Sequence, residues 1–290
     1  MNSKNLIQLI TLAAIWGGSF IFMRIIAPVL GPILTAELRV MIAGIALIIY
    51  FYFSQFDPQW RLYWKQYLII GTVNSAIPFS LYAYAALYLP ASIEVILNST
   101  SPLFGAIFAA IWLSDKLTVS RIIGLVIGML GVVLITQVSE PMLNTHIGFS
   151  IMACLLAAAC YGITGIYIKK YAKGAKPQAI AGCSQIFAGL ILLPFLPFFP
   201  PTGEITLSIV LNVLGLALLC SAVAYLLYYR LIADLGPTKA LTVTFLMPIF
   251  GMMWGALFLN EVITMNMILG CGLILIGTIL VLEIFRIKKN

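Results

Sequence analysis

The chain has 290 residues, of which 62% belong to the apolar and aromatic set and only 9% are charged. Ordinary soluble domains are about 45–50% apolar and about 25% charged, so this composition excludes a soluble globule and indicates a chain that lies mostly in a membrane. The formal charge of +7 does not indicate a nucleic-acid partner, because the basic residues stand at the ends of apolar runs.

Ten apolar runs of spanning length follow one another along the chain. Turn-forming segments such as Asp57-Pro58 and Leu235-Gly236-Pro237 separate them, and most of the loops are short. The first run is longer than the core of a signal peptide, which predicts an uncleaved first span. The predicted spans are 6–26, 33–53, 66–87, 91–113, 120–138, 146–168, 178–199, 206–229, 238–259 and 266–285.

The basic residues predict how the chain is oriented. With an intracellular N-terminus, only Arg24 falls on the outer side, while Arg39 lies inside the second span. Because basic residues are retained in the cytoplasm, we predict a multi-pass protein of the cell (inner) membrane with both termini cytoplasmic. The basic residues predicted on the cytoplasmic side are Lys4, Arg61, Lys65, Lys116, Arg121, Lys169, Lys170, Lys173, Lys176, Arg230, Lys239, Arg286, Lys288 and Lys289.

The second half of the chain repeats the first half. Each half holds five spans, and this odd number inverts the second copy in the membrane, as in many secondary transporters. We therefore predict an all-α membrane protein of ten transmembrane helices in two inverted five-helix repeats, 6–138 and 146–285. Pairs at an offset of 145 are Trp16-Gly17 with Tyr161-Gly162, Arg24 with Lys169, Pro32 with Pro177, and Gly44 with Gly189. Pairs at an offset of 146 include Ser75 with Ser221, Tyr82 with Tyr228, Pro102 with Pro248, Phe104-Gly105 with Phe250-Gly251, Asp115 with Glu261, and Gly131 with Gly277.

Several motifs show a family resemblance. They are Trp16-Gly17-Gly18-Ser19, Leu89-Pro90-Ala91-Ser92, Pro102-Leu103-Phe104, Leu113-Ser114-Asp115-Lys116-Leu117-Thr118, Met247-Pro248-Ile249-Phe250-Gly251 and Leu259-Asn260-Glu261. With Arg39, they resemble the paired EamA repeats of the drug/metabolite transporter superfamily over almost the whole chain. The resemblance implies a ten-helix transporter of small organic metabolites or drugs, with a central cavity between the first four helices of each half. The sequence departs from the family pattern at Ser114-Asp115, where glycine-glutamate is usual, and at Glu94, where a small apolar residue is usual.

Glu94, Glu37 and Arg39 are the three ionisable residues that lie clearly inside the apolar spans and not at their ends. A charge at membrane depth costs about 2.5–3.5 kcal/mol on insertion scales, which indicates a specific role. On a regular helix Glu94, Asn98, Ser101 and Gly105 share one face. One interpretation is that this polar stripe lines the transport pathway, where Glu94 pairs with a cationic group of the substrate or carries a coupled proton. The other is that Glu94 reaches water at the level of the lipid headgroups.

Arg39 needs a partner on another span. Glu37 is only two positions away, so the two side chains do not face each other on a helix. Arg39 either binds a substrate carboxylate or tethers the structure near the outer surface.

Aromatic and hydroxyl residues at matching positions of the two halves are candidates for the rest of a cavity, with ordinary packing as the alternative. Pro78 lacks an amide hydrogen and frees the carbonyl of Asn74, which predicts a kink, and Pro102 and Pro248 predict kinks in spans four and nine. The predicted substrate-binding residues are Trp16, Ser19, Phe20, Arg39, Asn74, Pro78, Tyr82, Glu94, Asn98, Ser101, Tyr161, Thr164, Tyr225, Tyr228 and Thr244.

Two small-xxx-small patterns, 124–128 and 251–255, predict close helix packing within the chain or in a weak homodimer, so we expect a monomer or such a dimer. The sequence does not indicate an enzyme, because its one histidine, His146, lies in a loop and no nucleophile or phosphate-loop motif is present. The five cysteines lie in apolar runs, so we expect no disulfide, and we also expect no cofactor or metal. The function that these features favour is a secondary-active exporter of amino acids or related metabolites that works by alternating access. The alternatives are an uptake or exchange carrier for a nucleotide-like or cationic substrate, and a channel.

Overall fold

The structure is a computed structural model, and it describes residues 3–115, 117–136, 145–236, 240 and 242–283. Within these ranges the regular secondary structure is entirely helical, as the apolar runs predict. Eight helices are long and apolar enough to cross a membrane, and two shorter apolar helices follow them. Six predicted cytoplasmic or loop residues lie outside the described ranges: Lys116, Pro237, Lys239, Arg286, Lys288 and Lys289.

The helices agree with the predicted spans to within a few residues at most of their ends. We number them α1 to α10 in chain order. They are α1 (Ser3–Leu30), α2 (Pro32–Phe53), α3 (Trp60–Ala85), α4 (Ala91–Trp112), α5 (Val119–Thr136), α6 (Thr145–Tyr171), α7 (Pro177–Phe198), α8 (Leu207–Leu235), α9 (Val243–Leu259) and α10 (Met265–Val281).

Contacts between loops define two sides of the bundle. On the side where α1 begins, Thr118 Oγ1 donates to Glu283 Oε1 at 2.6 Å. On the other side, Thr202 Oγ1 donates to the carbonyl oxygen of Pro28 at 3.0 Å, near the end of α1. The carboxylate of Glu261, between α9 and α10, accepts hydrogen bonds from the first turn of α4 on this same side. We call the two sides the N-terminal side and the opposite side.

Three helices are irregular near their middle. In α3, residues Thr72–Ala76 form a π-helical turn in which the Ile77 amide donates to the carbonyl of Thr72. In α8, a longer π-helical stretch covers Gly215–Val223. The α-helical geometry of α4 stops at Asn98 and resumes at Ser101. These irregular segments widen or interrupt the helices and redirect the side chains that they carry.

Two of the prolines for which the sequence predicts kinks, Pro78 and Pro102, each lie just after an irregular segment. Pro78 follows the π turn of α3, and Pro102 follows the break in α4. Pro248 instead lies inside a continuous α-helix, which runs from Val243 to Leu259. The stretch in α8 contains no proline, so proline does not cause it.

Most of the strong helix contacts join the two halves of the chain: α1 packs on α9, α4 on α6, α2 on α7 and α5 on α10. In the first two of these contacts, the two helix backbones approach each other at glycine residues. A Cβ atom at Gly17 would lie 2.9 Å from the amide nitrogen of Gly251, and one at Gly162 would lie 2.6 Å from that of Gly105. The backbones approach so closely that only glycine fits, as the 251–255 pattern predicts for packing within the chain.

The α5·α10 contact uses the other predicted glycine pattern. A Cβ atom at Gly124 would lie 2.6 Å from the carbonyl oxygen of Gly277, and one at Gly131 would lie 2.6 Å from that of Gly270. Both small-xxx-small patterns therefore serve contacts inside one chain.

Candidate functional site

Two polar side chains cross between the halves at the π-helical segments of α3 and α8. Arg39 on α2 donates from Nε to the Oγ of Ser221 on α8 at 3.1 Å. Gln185 on α7 donates from Nε2 to the Oγ of Ser75 on α3 at 3.1 Å. All four residues are buried, and the two bonds link each half to the other. We call these four residues the central polar layer.

The guanidinium of Arg39 is held by neutral groups. Its Cζ atom lies 3.8 Å from the ring centroid of Phe79, and Nη1 lies 3.6 Å from Sδ of Met23. Arg39 is only 6% exposed, and within the described ranges no carboxylate lies within ion-pair distance of it. Arg39 thus has the partner on another span that the sequence predicts, but this partner does not neutralise its charge.

Gln185 is absent from the predicted site residues. The helix register explains why: Pro32 and Pro177 give α2 and α7 an offset of 145, which pairs Arg39 with Ser184. Gln185 is 146 residues after Arg39, and Ser221 is 146 residues after Ser75. Comparing polar residues at both offsets would have identified it.

An aromatic cluster formed by side chains of α1, α3 and α6 borders the central polar layer. The ring of Tyr82 stacks on Tyr161, with centroids 6.2 Å apart, and meets Phe20 edge to face at 5.3 Å. The hydroxyl of Tyr82 donates to Oδ1 of Asn98 at 2.9 Å, which fixes the ring. Tyr161 is close enough to Arg39 to interact with it electrostatically. The structure therefore brings these four predicted residues together beside Arg39.

A second aromatic cluster lies between α1 and α8. Trp16 packs against Tyr228 at 5.2 Å and against Tyr225 at 6.3 Å between ring centroids. The hydroxyl of Tyr225 lies 3.4 Å from Nε2 of Gln185, and its ring stacks on Tyr229. Trp16, Tyr225 and Tyr228 therefore lie beside the same layer, as predicted.

Three predicted hydroxyls are used within their own helices. Ser19 Oγ donates to the carbonyl of Trp16 at 2.7 Å, Ser101 Oγ to that of Asn98 at 2.6 Å, and Thr164 Oγ1 to that of Cys160 at 2.7 Å. Such local bonds satisfy each hydroxyl without a ligand. Asn74 and Thr244 are half-buried on α3 and α9 and do not belong to the central polar layer.

Glu94 is enclosed by protein. Its exposed fraction is 0%, and neither carboxylate oxygen has a hydrogen-bond partner among the described residues. The interpretation that Glu94 reaches water at the headgroup level is therefore wrong, because neighbouring helices cover the first turn of α4. Its electrostatic neighbours are Arg24 and Glu261.

The polar stripe predicted on α4 is interrupted. It assumed one regular helix, whereas the helix stops between Asn98 and Ser101. Gly105, the last member of the stripe, packs against the backbone of Gly162 on α6. Of the stripe, Asn98 contacts the aromatic cluster through Tyr82, and Glu94 lies farther toward the opposite side.

A buried guanidinium among aromatic rings, without a carboxylate partner, can bind an anionic group of a small molecule, and the rings offer apolar surface to the rest of it. The part of the chain that the structure describes holds no group of three His, Cys, Asp or Glu side chains that could bind a metal. The arrangement supports binding chemistry and offers no group poised for a covalent step.

Comparison with known proteins finds transporters among the relatives of this chain. The chain is 25% identical over 285 residues to an uncharacterized transporter of Archaeoglobus fulgidus, covering 97% of this chain and 99% of that protein. It is 24% identical over 279 residues to Protein PecM of Dickeya dadantii, covering 95% of this chain and 91% of that protein. It is 22% identical over 304 residues to a probable amino-acid metabolite efflux pump of Salmonella typhimurium, covering 100% and 98%.

A solved structure described as "Crystal structure of protein" matches over 100% of both chains with a TM-score of 0.66 and 17% identity, which shows a shared fold. The model of the EamA-like transporter family matches residues 3–137 and 148–283. With two family matches that together cover nearly all of the described helices, the chain belongs to the EamA-like transporter family and is a multi-pass membrane transporter of small molecules rather than an enzyme.

Proposed function

We propose that the chain is a secondary-active exporter of amino acids or related metabolites. The observation that carries this proposal is the guanidinium of Arg39, buried among neutral groups at the centre of the molecule. A buried cation is costly unless an anion joins it, and the carboxylate of an amino acid supplies that charge. Tyr161, Phe79 and the ring of Tyr225 then face the remainder of the substrate.

The proposed mechanism is alternating access between two inverted repeats, 6–138 and 146–285. Two pairs of contacts support the inversion: α1·α9 has its counterpart in α6·α4, and α2·α8 has its counterpart in α7·α3. In both cases, replacing each helix by the corresponding helix of the other repeat turns one contact into the other. The central polar layer follows the same exchange, because Arg39 bonds to Ser221 as Gln185 bonds to Ser75. Rocking of one half against the other would open this layer to each side in turn.

The proposed orientation places the N-terminal side in the cytoplasm of a cell whose inner membrane holds the protein. Basic residues of two regions lie on that side, with Arg61 and Lys65 in the first turns of α3 and Lys173 and Lys176 in the loop before α7. Cytoplasmic retention of basic loops supports this orientation. We propose that the protein works as a monomer or a weak homodimer, since its glycine patterns are used inside the chain.

Energy would come from a gradient, with Glu94 as the proposed proton carrier. A carboxyl enclosed by protein, with no hydrogen-bond partner among the described residues, is the kind of intramembrane group that proton-coupled carriers use. Export is favoured over uptake by one relative, whose name is a probable amino-acid metabolite efflux pump. Uptake or exchange of a nucleotide-like or cationic substrate, and a channel, are the alternatives that the experiment must separate.

The test is counterflow in proteoliposomes with a panel of amino acids, nucleotides and organic cations. We expect amino acids inside the vesicles to accelerate entry of labelled leucine, which a channel cannot produce. Thermal stabilisation provides a second measurement, because a ligand at about 100 times its Kd adds about 2.7 kcal/mol to the free energy of unfolding. Acceleration by nucleotides or cations alone would contradict the proposed substrate class, and flux without counterflow would indicate a channel.

A further inference from the structure

A second candidate site lies near the opposite side of the molecule. A pocket of about 420 Å³ opens there, which is a size typical of small-molecule sites. The end of α1, the loop before α4 and the loop after α9 border it, and it is open toward the outside. Its lining residues are Arg24, Pro28, Leu87, Pro90, Leu259 and Glu261. We call this cavity the outer pocket.

The outer pocket contains one cation and one anion. Arg24 is half-buried and lines the pocket, and its Nη1 donates to the carbonyl oxygen of Ala86. The carboxylate of Glu261 accepts from the backbone amide of Ala91 at 2.7 Å, from that of Ser92 at 3.0 Å, and from the Ser92 hydroxyl. These three bonds hold Glu261 in place at the pocket wall.

Glu94 lies one turn below the pocket wall. Its amide donates to the carbonyl of Pro90, a lining residue, at 3.2 Å. Its carboxylate has no hydrogen-bond partner among the described residues, and its electrostatic neighbours are the two charged lining residues. The region therefore combines one guanidinium and one carboxylate at the pocket wall with a second carboxylate that is enclosed by protein one turn beneath it.

The outer pocket is also adjacent to the central site. Met23, which contacts Nη1 of Arg39, immediately precedes Arg24 on α1. Along α1, Arg24 therefore lies one residue further toward the opposite side than the contact with Arg39.

We infer that the outer pocket is an exit site for a zwitterionic amino acid, with Arg24 binding the carboxylate and the Glu94 and Glu261 side attracting the ammonium group. This inference rests on the proposed function and adds a site to it. The apolar lining residues favour an apolar side chain such as that of leucine. The carboxylate of Glu261 disfavours a lipid phosphate, because the two anions repel each other.

The first experiment measures leucine half-saturation separately at each face of proteoliposomes. Arg24→Gln should raise the value at the outer face about tenfold, the loss expected for one charge-assisted hydrogen bond, and leave the inner value unchanged. Arg24→Lys should retain part of the affinity, because it keeps the charge. Arg121→Gln is the matched control: Arg121 lies on the N-terminal side, where it pairs with Glu283 at 3.9 Å. If Arg24→Gln and the wild type have the same leucine half-saturation constant at the outer face, the inference is overturned.

The second experiment does not depend on transport. In an Arg39→Gln background, 4-methylpentanoate, which is leucine without its ammonium group, should still raise the melting temperature of the purified protein. Adding Arg24→Gln should abolish this rise in melting temperature. The rise caused by 3-methylbutylamine, which is leucine without its carboxylate, should depend less on Arg24. Stabilisation that survives Arg24→Gln, or none in the Arg39→Gln background, would overturn the site. An Arg24-dependent effect without leucine counterflow would support the site and contradict amino-acid transport.

Discussion

Replacing Arg39 with glutamine separates substrate binding from structural tethering. Glutamine removes the charge and the stacking on Phe79, while its amide can still reach toward Ser221. If Arg39 binds the substrate carboxylate, the variant loses a charge-assisted hydrogen bond, worth about 1.5–3 kcal/mol. This loss corresponds to a rise of about ten- to hundredfold in the half-saturation constant.

The expected change in stability is smaller than the change in binding. Losing the cation–π contact costs about 2 kcal/mol, but removing a charge that is 6% exposed and unpaired among the described residues also removes its desolvation penalty. The two effects oppose each other, so we expect the free energy of unfolding to change by about 1 kcal/mol or less. Arg39→Lys should be intermediate in binding, since it keeps a charge but loses the Nε bond to Ser221.

The assay is leucine counterflow in proteoliposomes, with the melting temperature of the same preparations measured in parallel. Gln185→Ala is the matched control, because it removes the related bond to Ser75 without changing any charge. It should alter the half-saturation constant less than Arg39→Gln does. An Arg39→Gln protein with a much lower melting temperature and an unchanged half-saturation constant would refute the reasoning and establish Arg39 as a structural tether.

Three further predictions follow from the geometry. Glu94→Gln should abolish the pH dependence of transport, measured as leucine flux across a range of pH, and an unchanged pH profile would exclude Glu94 as the proton carrier. Gly277→Ala should lower the melting temperature by several degrees, because its Cβ would lie 2.5 Å from the carbonyl oxygen of Gly124, whereas Gly272→Ala, with open space at its Cβ, should not. Pro78→Ala should reduce flux without lowering the melting temperature, because a restored amide favours a regular helix over the π turn, and wild-type flux would show that the turn is not needed.

The helices are predictable from the sequence because lipid requires long apolar runs, and the pattern of glycines predicts how they pack. For Arg39, the sequence predicts that a partner lies on another span, but it does not predict which residue that partner is. Its identity depends on the π-helical stretch of α8, where Ser221 Oγ donates to the carbonyl of Leu216, five residues earlier. No proline marks this stretch, so local sequence gives no signal for it.

The surroundings of Glu94 could not be derived from its own helix. Counting residues from Pro90 places Glu94 near the membrane surface, where water is the natural expectation. The structure buries it because the loop after α9 folds over the first turn of α4 through Glu261. Burial at this position therefore depends on a residue in the other half of the chain.

The glycine contact between α5 and α10 has a consequence for genetic screens. None of the residues of the central polar layer or the outer pocket lies on these two helices. Nevertheless, any larger side chain at Gly124 or Gly277 meets backbone atoms that cannot move aside. A random-mutagenesis screen for variants that have lost export should therefore recover many alleles at the contact between α5 and α10. Such alleles should reduce the amount of protein in the membrane, so that counting alleles without measuring abundance would place the pathway in the wrong helices.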